Sequence, residues 1–429
     1  MNPYQGYLYA YPHKTAYRRL DPRPLLSDVW AKERQDALFG YVHLPFCEMR
    51  CGFCNLFTRA NPPDEQVSAY LSQLRRQARA VRESLDHDAV FARLAIGGGT
   101  PTYLTAPELE DLFGIVGETF GTGLPLSVET SPATATPDRL AVLAAHGTTR
   151  ISMGVQSFLD SEAHAAGRPQ RLPEVHAALR SIRDARIPVL NIDLIYGIDG
   201  QTEQTWQHSL DEALRWDPEE LYLYPLYVRP LTGLGRRAHA REDWDRQRLG
   251  LYRQAVDVLT AAGYEQHSMR QFRRAGAPEP DGPDYCCQDD GMVGLGCGAR
   301  SYTTELHYSF DYAVAVSEVR AVIDDYLSRD EDDFRYAEIG FHLDEIEQRR
   351  RWLLKSLLRA DGVDPVAYRD RFGTSHVHDF AQLGELVERG WLNDDRTVLT
   401  ADGLAHSDAV GPWLVSGPVR EAMGTWVPR

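Results

Sequence analysis

Lysine is scarce in this chain. Lys14, Lys32 and Lys355 are the only lysines among 46 basic residues, so nearly all of the positive charge is arginine. Acidic residues outnumber basic ones, 62 against 46, for a formal charge of −16. That balance disfavours a general nucleic-acid binder, although it is compatible with local basic patches. Long apolar runs are also missing. No stretch reaches the length of a membrane span, and the opening MNPYQGYLYAYPHK has no apolar core of a signal peptide. The expectation is a soluble cytoplasmic protein with no membrane partner. Cysteine is sparse and uneven: six in 429 residues, grouped as 47/51/54, the adjacent pair 286/287 and a lone Cys297. A disulfide framework would spread its thiols through a smaller secreted chain. Clustered thiols in a large chain point instead to metal ligation or redox chemistry. There is no internal repeat and no low-complexity segment.

The chain is long enough for one large domain and a smaller one, and its hydrophobic fraction of 43% can bury a sizeable core. From about residue 38, short β-like runs alternate with amphipathic helical segments. The strand candidates are FGYVHLPF, FARLAIGGG, LPLSVET, RISMGVQSF, PVLNIDLIYG and ELYLYPLYV. Six β-α units in series imply parallel strands joined by right-handed crossovers. They are too few for an eight-unit barrel, so the α/β fold expected is a partial, open (β/α)6 barrel, with a doubly wound open sheet as the alternative. A Pro/Gly/Asp-rich stretch at 273–291 reads as a loop leading into a further strand region. From residue 343 the pattern becomes helix, helix, helix and then GWLNDDRTVLTADGLAHSD, which suggests a small, mostly helical, winged-helix-like module ending in a β-ribbon. Its basic residues concentrate only at Arg349, Arg350 and Arg351, so it reads as a cap or substrate cover rather than a DNA reader. The expected division is an N-terminal arm over 1–38, a barrel with its C-terminal extension over 39–305, a connecting segment over 306–342 and a C-terminal domain over 343–429.

The chemistry concentrates in YVHLPFCEMRCGFCNLF, residues 41–57, where Cys47-x3-Cys51-x2-Cys54 follows an alternating apolar strand. Structural zinc takes four Cys or His ligands, commonly as two pairs. The only nearby fourth candidate, His43, lies within the strand, where the two-residue period turns it away from the loop. A cubane [4Fe–4S] cluster usually has four thiolates. Three leave one iron open to a small ligand, by the logic that leaves catalytic metals an open position. Zinc and unligated thiols are the plainer alternatives. AIGGGTPTYL closes the second strand with Gly97, Gly98, Gly99 and Thr100, where glycines let backbone approach a ligand, or simply make a tight turn. Glu129 ends the third strand, as a site carboxylate, a helix N-cap or a solvated acid. Asp193 interrupts a buried apolar run, which is costly unless it is paired or hydrogen-bonded.

The thiol spacing, with an aromatic before the last cysteine, resembles the radical S-adenosylmethionine (SAM) superfamily. Within it, HLPFC and the following C-x-F-C pattern resemble the oxygen-independent coproporphyrinogen III oxidase-like, or HemN-like, family. The resemblance covers about residues 1–305 and, weakly, the C-terminal module. It implies a radical SAM barrel with a [4Fe–4S] cluster on Cys47, Cys51 and Cys54, whose open iron chelates SAM. One-electron reduction would then give methionine and a 5′-deoxyadenosyl radical, with a flavodoxin- or ferredoxin-type electron donor and a small-molecule substrate as partners. By the same resemblance Tyr41, Gly98 and Glu129 contact the SAM on the cluster. Phe53, Gly99, Thr100, Gln156, Arg168 and Asp193 contact a second SAM, and Glu129 and Asp193 are the expected catalytic carboxylates. Residue 227 and Arg300 fall near further SAM-contacting positions.

The chain also departs from the family. Where the oxidases carry a fourth cysteine, two residues after the last cluster cysteine, Leu56 stands. Where the haem-chaperone branch has a His-Asn motif ending in Tyr-Trp, the sequence reads PDYCCQDDGMVGLG. The N-terminal YAYPHKTAY is similar to an arm of the oxidase. Three functions are therefore weighed: methyl transfer or related carbon–carbon bond formation with a second SAM, oxidative decarboxylation of porphyrinogen, and non-enzymatic haem carriage. Cys286 and Cys287 are either a functional thiol pair or loop cysteines, and Cys297 reads as a small residue near a close backbone approach. Arg236, Arg237 and Arg241, with Arg270, Arg273 and Arg274, are candidates for a carboxylate-rich substrate or for solvated faces.

Overall fold

The computed structural model describes residues 2–235 and 243–427. Arg236, Arg237 and Arg241 therefore lie outside the described residues. The strands are, in chain order, β1 (Arg18–Arg19), β2 (Leu38–Leu44), β3 (Phe46–Cys47), β4 (Arg59–Ala60), β5 (Phe91–Gly98), β6 (Leu126–Thr130), β7 (Thr148–Gln156), β8 (Val189–Tyr196) and β9 (Glu220–Pro225). They continue with β10 (Tyr264–Gln266), β11 (Gln271–Arg274), β12 (Met292–Leu295), β13 (Arg300–Tyr302), β14 (Leu306–Ser309) and β15 (Ile339–His342). The six runs read from the sequence are β2, β5, β6, β7, β8 and β9.

These six are parallel and adjacent in chain order. A right-handed crossover that always steps to the next strand in the same direction keeps every helix on one face. A doubly wound sheet would reverse that direction at a switch point, and this one does not. β12 adds a parallel strand beside β2. Antiparallel β13, β14, β15 and β1 extend that edge, and β11 and β10 the other, making one 13-stranded sheet with two free ends. The barrel is partial and open.

The local signals match. Helix Asp64–Glu83 carries Asp64 and Glu65 in its first turn and buries Val67, Tyr70, Leu71, Leu74, Ala78 and Val81 on one stripe. A Thr105/Glu108 capping box starts helix Ala106–Phe120. β8 is buried along nearly its whole length, as a central parallel strand covered on both faces must be.

A second hydrophobic core gathers Trp352, Leu353, Leu357, Tyr368, Phe380, Leu386 and Leu414, and it takes in Tyr11 and Ala16 of the N-terminal arm. The arm is tied there by the Tyr11 hydroxyl, which donates to Glu347 and, at 3.1 Å, meets Ser416. The ribbon expected at the end of this region is a single bridge, Leu392 to Leu399. Short helices follow it, because the Thr400 side chain accepts from the Gly403 N–H and caps Ala401–Ala405 instead of continuing a strand.

Arg270 ties the barrel to this helical region. Its Nη2 meets Asp408 Oδ2 at 2.5 Å, and the Tyr227 hydroxyl donates to the same oxygen at 2.5 Å. Both charged partners are almost fully buried. Removing one partner of such a pair leaves an uncompensated buried charge. Asp408→Asn should therefore lower stability by about 3–5 kcal/mol. The double variant Arg270→Met/Asp408→Leu should recover most of that loss in urea unfolding.

Candidate functional site

The thiol loop is held from both ends. β3 pairs with β4 around it, and the strand end after β5 pins its start. There the Gly99 N–H donates to Leu44 O at 2.7 Å and the Thr100 N–H to Phe46 O at 2.7 Å. A Cβ on Gly99 would collide with the Phe46 carbonyl. In mid-loop, Gly52 packs on the turn at Gly167: the Gly52 N–H donates to Gly167 O at 3.0 Å, and a Cβ on Gly52 would meet the Ala166 carbonyl oxygen at 2.9 Å. Gly167 has φ +71°, the left-handed region open to glycine. The contact sets Arg168 beside the loop, its Nη1 3.9 Å from Cys51 Sγ. Thr100 Oγ1 lies 3.5 Å from Cys47 Sγ, and Cys54 Sγ lies 3.9 Å from Thr58 Oγ1.

All three thiols are free. Among the described residues, no three His, Cys, Asp or Glu side chains converge as ligands of a single ion. A cubane's thiolates bind different irons, whereas zinc's four ligands must meet at one atom, so three thiols without a fourth ligand suit the former. The donor set fits a [4Fe–4S] cluster. His43 stands apart from this set, with its ring nitrogens at hydrogen-bond distance from the Tyr41 hydroxyl (3.2 Å) and Phe57 O (3.1 Å). Burial lowers its pKa to about 4.

Glu129 sits beside the glycine strand. Its Oε2 accepts from the Gly98 N–H at 3.1 Å, and a Cβ on Gly97 would run into its carboxylate. Gly98 adopts φ +112°, and a Cβ there would meet the His43 ring at 2.5 Å. The three glycines thus leave a bare backbone cradle next to a carboxylate. Glu129 opens onto the barrel interior but is ringed by protein, and burial pushes its pKa up to about 7, with the Gly98 N–H partly opposing.

Across the barrel, Asp193 accepts from Asn191 Nδ2 at 2.7 Å and from Ser152 Oγ at 3.3 Å, and burial raises its pKa to about 6. Gln156 has φ +68° at an irregularity between β7 and β8, an uncommon conformation for a non-glycine residue. A Cβ on Gly154 would meet Gln156 Nε2 at 2.7 Å and Arg168 Nη1 at 3.3 Å, so these two side chains crowd one point. Phe53 packs against Ala166, Ile195, Ile198 and Leu226. Cys47, Cys51, Cys54, Thr100, Arg168 and Gln156 therefore share one end of the barrel.

Other candidates separate from it. Arg270 is spent on Asp408, Arg273 pairs with Glu220 at 3.1 Å, and Arg274 pairs with Asp217 at 2.6 Å and Glu219 at 3.1 Å. These are structural ion pairs. Cys286 and Cys287 both approach Gln288 Oε1, at 3.3 and 3.2 Å. Cys297 is buried against Tyr70, and burial pushes its thiol up to about 12. The sequence reading missed Tyr9, Lys14 and His307, which gather near Arg300 within the same barrel.

Two outcomes follow. Gly52→Ala should force the loop off Gly167 and cut iron loading to less than about half that of the wild type, because the clash is with backbone. Glu129 keeps its proton in the folded state between about 4.5 and about 7, where the unfolded chain has lost it. Stability of the unliganded protein should therefore fall as pH rises through that window. Glu129→Gln should remove this part of the decline in a pH series of urea unfolding curves.

Comparison with known proteins agrees with this geometry. The radical SAM superfamily matches residues 41–213. The chain is similar to the haem chaperone HemW of Bacillus subtilis (strain 168), 27% identical over 388 residues that span 87% of this chain and 98% of that protein. It is also similar to the oxygen-independent coproporphyrinogen III oxidase of Helicobacter pylori (strain J99), 30% identical over 43% of this chain and 41% of that enzyme, so the match spans less than half of the oxidase. Among solved structures, the coproporphyrinogen III oxidase HemN from Escherichia coli shares the fold, with a TM-score of 0.74 at 22% identity over 94% of this chain and 93% of that one. Residues 41–213 thus carry a match to the radical SAM superfamily, and along most of its length the chain is similar to HemN-like proteins and shares their fold.

Proposed function

We propose that this protein is a radical SAM enzyme acting on a small molecule inside the barrel, with a [4Fe–4S] cluster on Cys47, Cys51 and Cys54 and a flavodoxin- or ferredoxin-type electron donor. When bound and reduced, such a cluster supplies one-electron cleavage of SAM to methionine and a 5′-deoxyadenosyl radical. The observation that carries the reading is the pinning of three free thiols between the Gly99 strand end and the Arg168 turn, with Glu129 beside a bare glycine backbone. Glu129, once ionised, would accept from the amino group of SAM, while Gly97 to Gly99 leave room for the rest of it. The enclosing strands exclude water from the reacting atoms. Among the described residues, no helix is long and apolar enough to cross a membrane.

The crowding of Gln156 and Arg168, with Asp193 on the neighbouring strand, supports a second SAM beside the thiols. We infer that it serves methyl transfer or a related carbon–carbon bond formation. Leu56, 49% exposed where the oxidase carries a cysteine, counts against porphyrinogen oxidation. Haem carriage is a second reading, favoured by the similarity to HemW along 98% of that chaperone.

Cys47→Ala, Cys51→Ala and Cys54→Ala should each abolish the cluster in anaerobically reconstituted protein, while a Cys286→Ala/Cys287→Ala variant keeps about four irons. Methyl-deuterated SAM separates the reactions. On the methyl-transfer reading, deuterium passes into 5′-deoxyadenosine and S-adenosylhomocysteine accumulates beside methionine. Unlabelled deoxyadenosine, with coproporphyrinogen III losing carbon dioxide, would favour the oxidase. Stoichiometric haem binding without deoxyadenosine above a cluster-free control would favour the carrier.

A further inference from the structure

Beyond the thiols, the chain assembles a second cluster of functional groups from three distant segments. The N-terminal arm brings Tyr9, His13 and Lys14, strands β13 and β14 bring Arg300, Tyr302 and His307, and helix Glu345–Leu357 brings Lys355, whose charge is felt at His307 and Arg300. The Arg300 guanidinium lies 4.7 Å from the Tyr9 ring centroid and 5.9 Å from that of Tyr302. Lys14 Nζ stands 3.3 Å over the Tyr312 ring, and the Tyr312 hydroxyl donates to Asn55 O at 2.9 Å, one residue beyond Cys54. His307 sits opposite Tyr302 in the β13–β14 register, their ring centroids 4.4 Å apart. The cluster thus adjoins the thiol loop.

Its electrostatics are those of a site waiting for a negative charge. Among the described residues, no ion pair joins Lys14, Arg300 or Lys355 to a carboxylate, and the Tyr9 hydroxyl is the hydrogen-bond partner of both Arg300 and Lys14. His307 is 1% exposed and neither ring nitrogen finds a hydrogen-bond partner. The buried Tyr17 hydroxyl and Arg300 Nη1 are also unpartnered. A buried donor without a partner costs roughly 1–3 kcal/mol; neutral His307 offers one ring N–H beside the Tyr17 hydroxyl and Arg300 Nη1, so three unpartnered donors in one place call for a ligand. Burial would push the Tyr9 hydroxyl upward, yet Arg300 and Lys14 together bring it down to about 8. Burial lowers Lys14 to about 8 as well, and burial with the surrounding cations lowers His13 to about 3. A protein of net charge −16 has placed two of its three lysines here.

We propose that Arg300, His307, Lys14 and Lys355 form a subsite for one oxyanionic group, a carboxylate or a phosphate, carried by the substrate and not by SAM. The inference deepens the enzyme reading above and rests on it for the word substrate. Sheet order separates this subsite from most of the cofactor positions, with Tyr41 on β2 between the two; Arg300, which by resemblance falls near a SAM-contacting position, is assigned here to the substrate. β13 and β14 lie beyond β12 on one side of β2, whereas the glycine strand β5, Glu129 on β6 and the Gln156/Asp193 pair on β7 and β8 lie on the other. An anion held by Arg300 would leave the rest of its molecule extending past Tyr9 and Tyr41 toward the thiol loop. Lysine suits the task as a compact charge on a flexible stem, and arginine adds a planar fork for two oxygens.

The test uses the full-length, cluster-loaded protein without reductant, titrated calorimetrically with inorganic phosphate and, separately, with acetate. One site should appear for phosphate if the substrate group is a phosphate, and for acetate if it is a carboxylate. Arg300→Met should weaken that binding by ten-fold or more, the usual cost of losing a charge-assisted hydrogen bond. Arg300→Lys should stay within about three-fold, and Lys355→Met should weaken binding by at least about three-fold. SAM affinity, measured the same way, should change less than about two-fold in each variant. Absence of binding by either anion, or binding indifferent to both Arg300→Met and Lys355→Met, overturns the proposal. So does a ten-fold loss of SAM affinity in Arg300→Met, which would give the subsite to the cofactor. If Arg300→Met fails to fold, Arg300→Lys and Lys355→Met carry the comparison. The titration needs no turnover: anion binding in a protein that never yields deoxyadenosine would sink the enzyme reading and leave the anion subsite standing.

Discussion

The close approach of separate backbones at one end of the barrel is the constraint on which the site depends. The thiol loop at Gly52, the turn at Gly167 and the strand end at Gly99 come within hydrogen-bond distance of one another or of the loop's own start. Gly233 adds a fourth surface, since a Cβ there would meet Gly52 Cα at 3.1 Å. Side chains at these positions would hold the segments apart, and the thiols, Thr100 and Arg168 would no longer face a shared space. The parallel sheet supplies the strand ends at the required spacing, and the glycines convert that spacing into contact.

Electrostatics then divide the interior. Glu129 and Asp193, on the glycine side, are carboxylates that burial holds toward their neutral forms. On the other side of β2, Arg300, Lys14 and Lys355 gather without acidic partners among the described residues. A ligand with a cationic end and a ligand with an anionic end would each find one side suited to it. The acidic exterior of the molecule gives no sign of this internal separation.

Much of the barrel was legible because buried parallel strands write themselves as apolar runs closed by glycine or proline, as β5 and β8 do. The thiol loop was legible because three cysteines in eight residues have few uses. The short strands β10 to β15 were harder, being three or four residues long and stabilised by pairing rather than by pattern. The ribbon near Leu392 was overestimated because the Thr400 cap competes locally with strand formation. Arg270, Arg273 and Arg274 read as solvated faces or a substrate patch, since sequence spacing does not reveal that Asp408, Glu220, Asp217 and Glu219 fold back onto them. Likewise the arm's contribution at Tyr9 and Lys14 depends on its anchoring by Tyr11 in a core more than 300 residues away, which no local pattern encodes.

The central claim is that three thiolates leave one iron of a cubane open for SAM. Electron–nuclear double resonance on the dithionite-reduced, reconstituted protein tests it most directly, using SAM labelled with oxygen-17 in its carboxylate. The account predicts a single reduced [4Fe–4S] signal that shifts on adding SAM and gains a resolved oxygen-17 coupling. A reduced cluster whose signal is unchanged by SAM, or a protein that assembles no cubane on these cysteines, would contradict it.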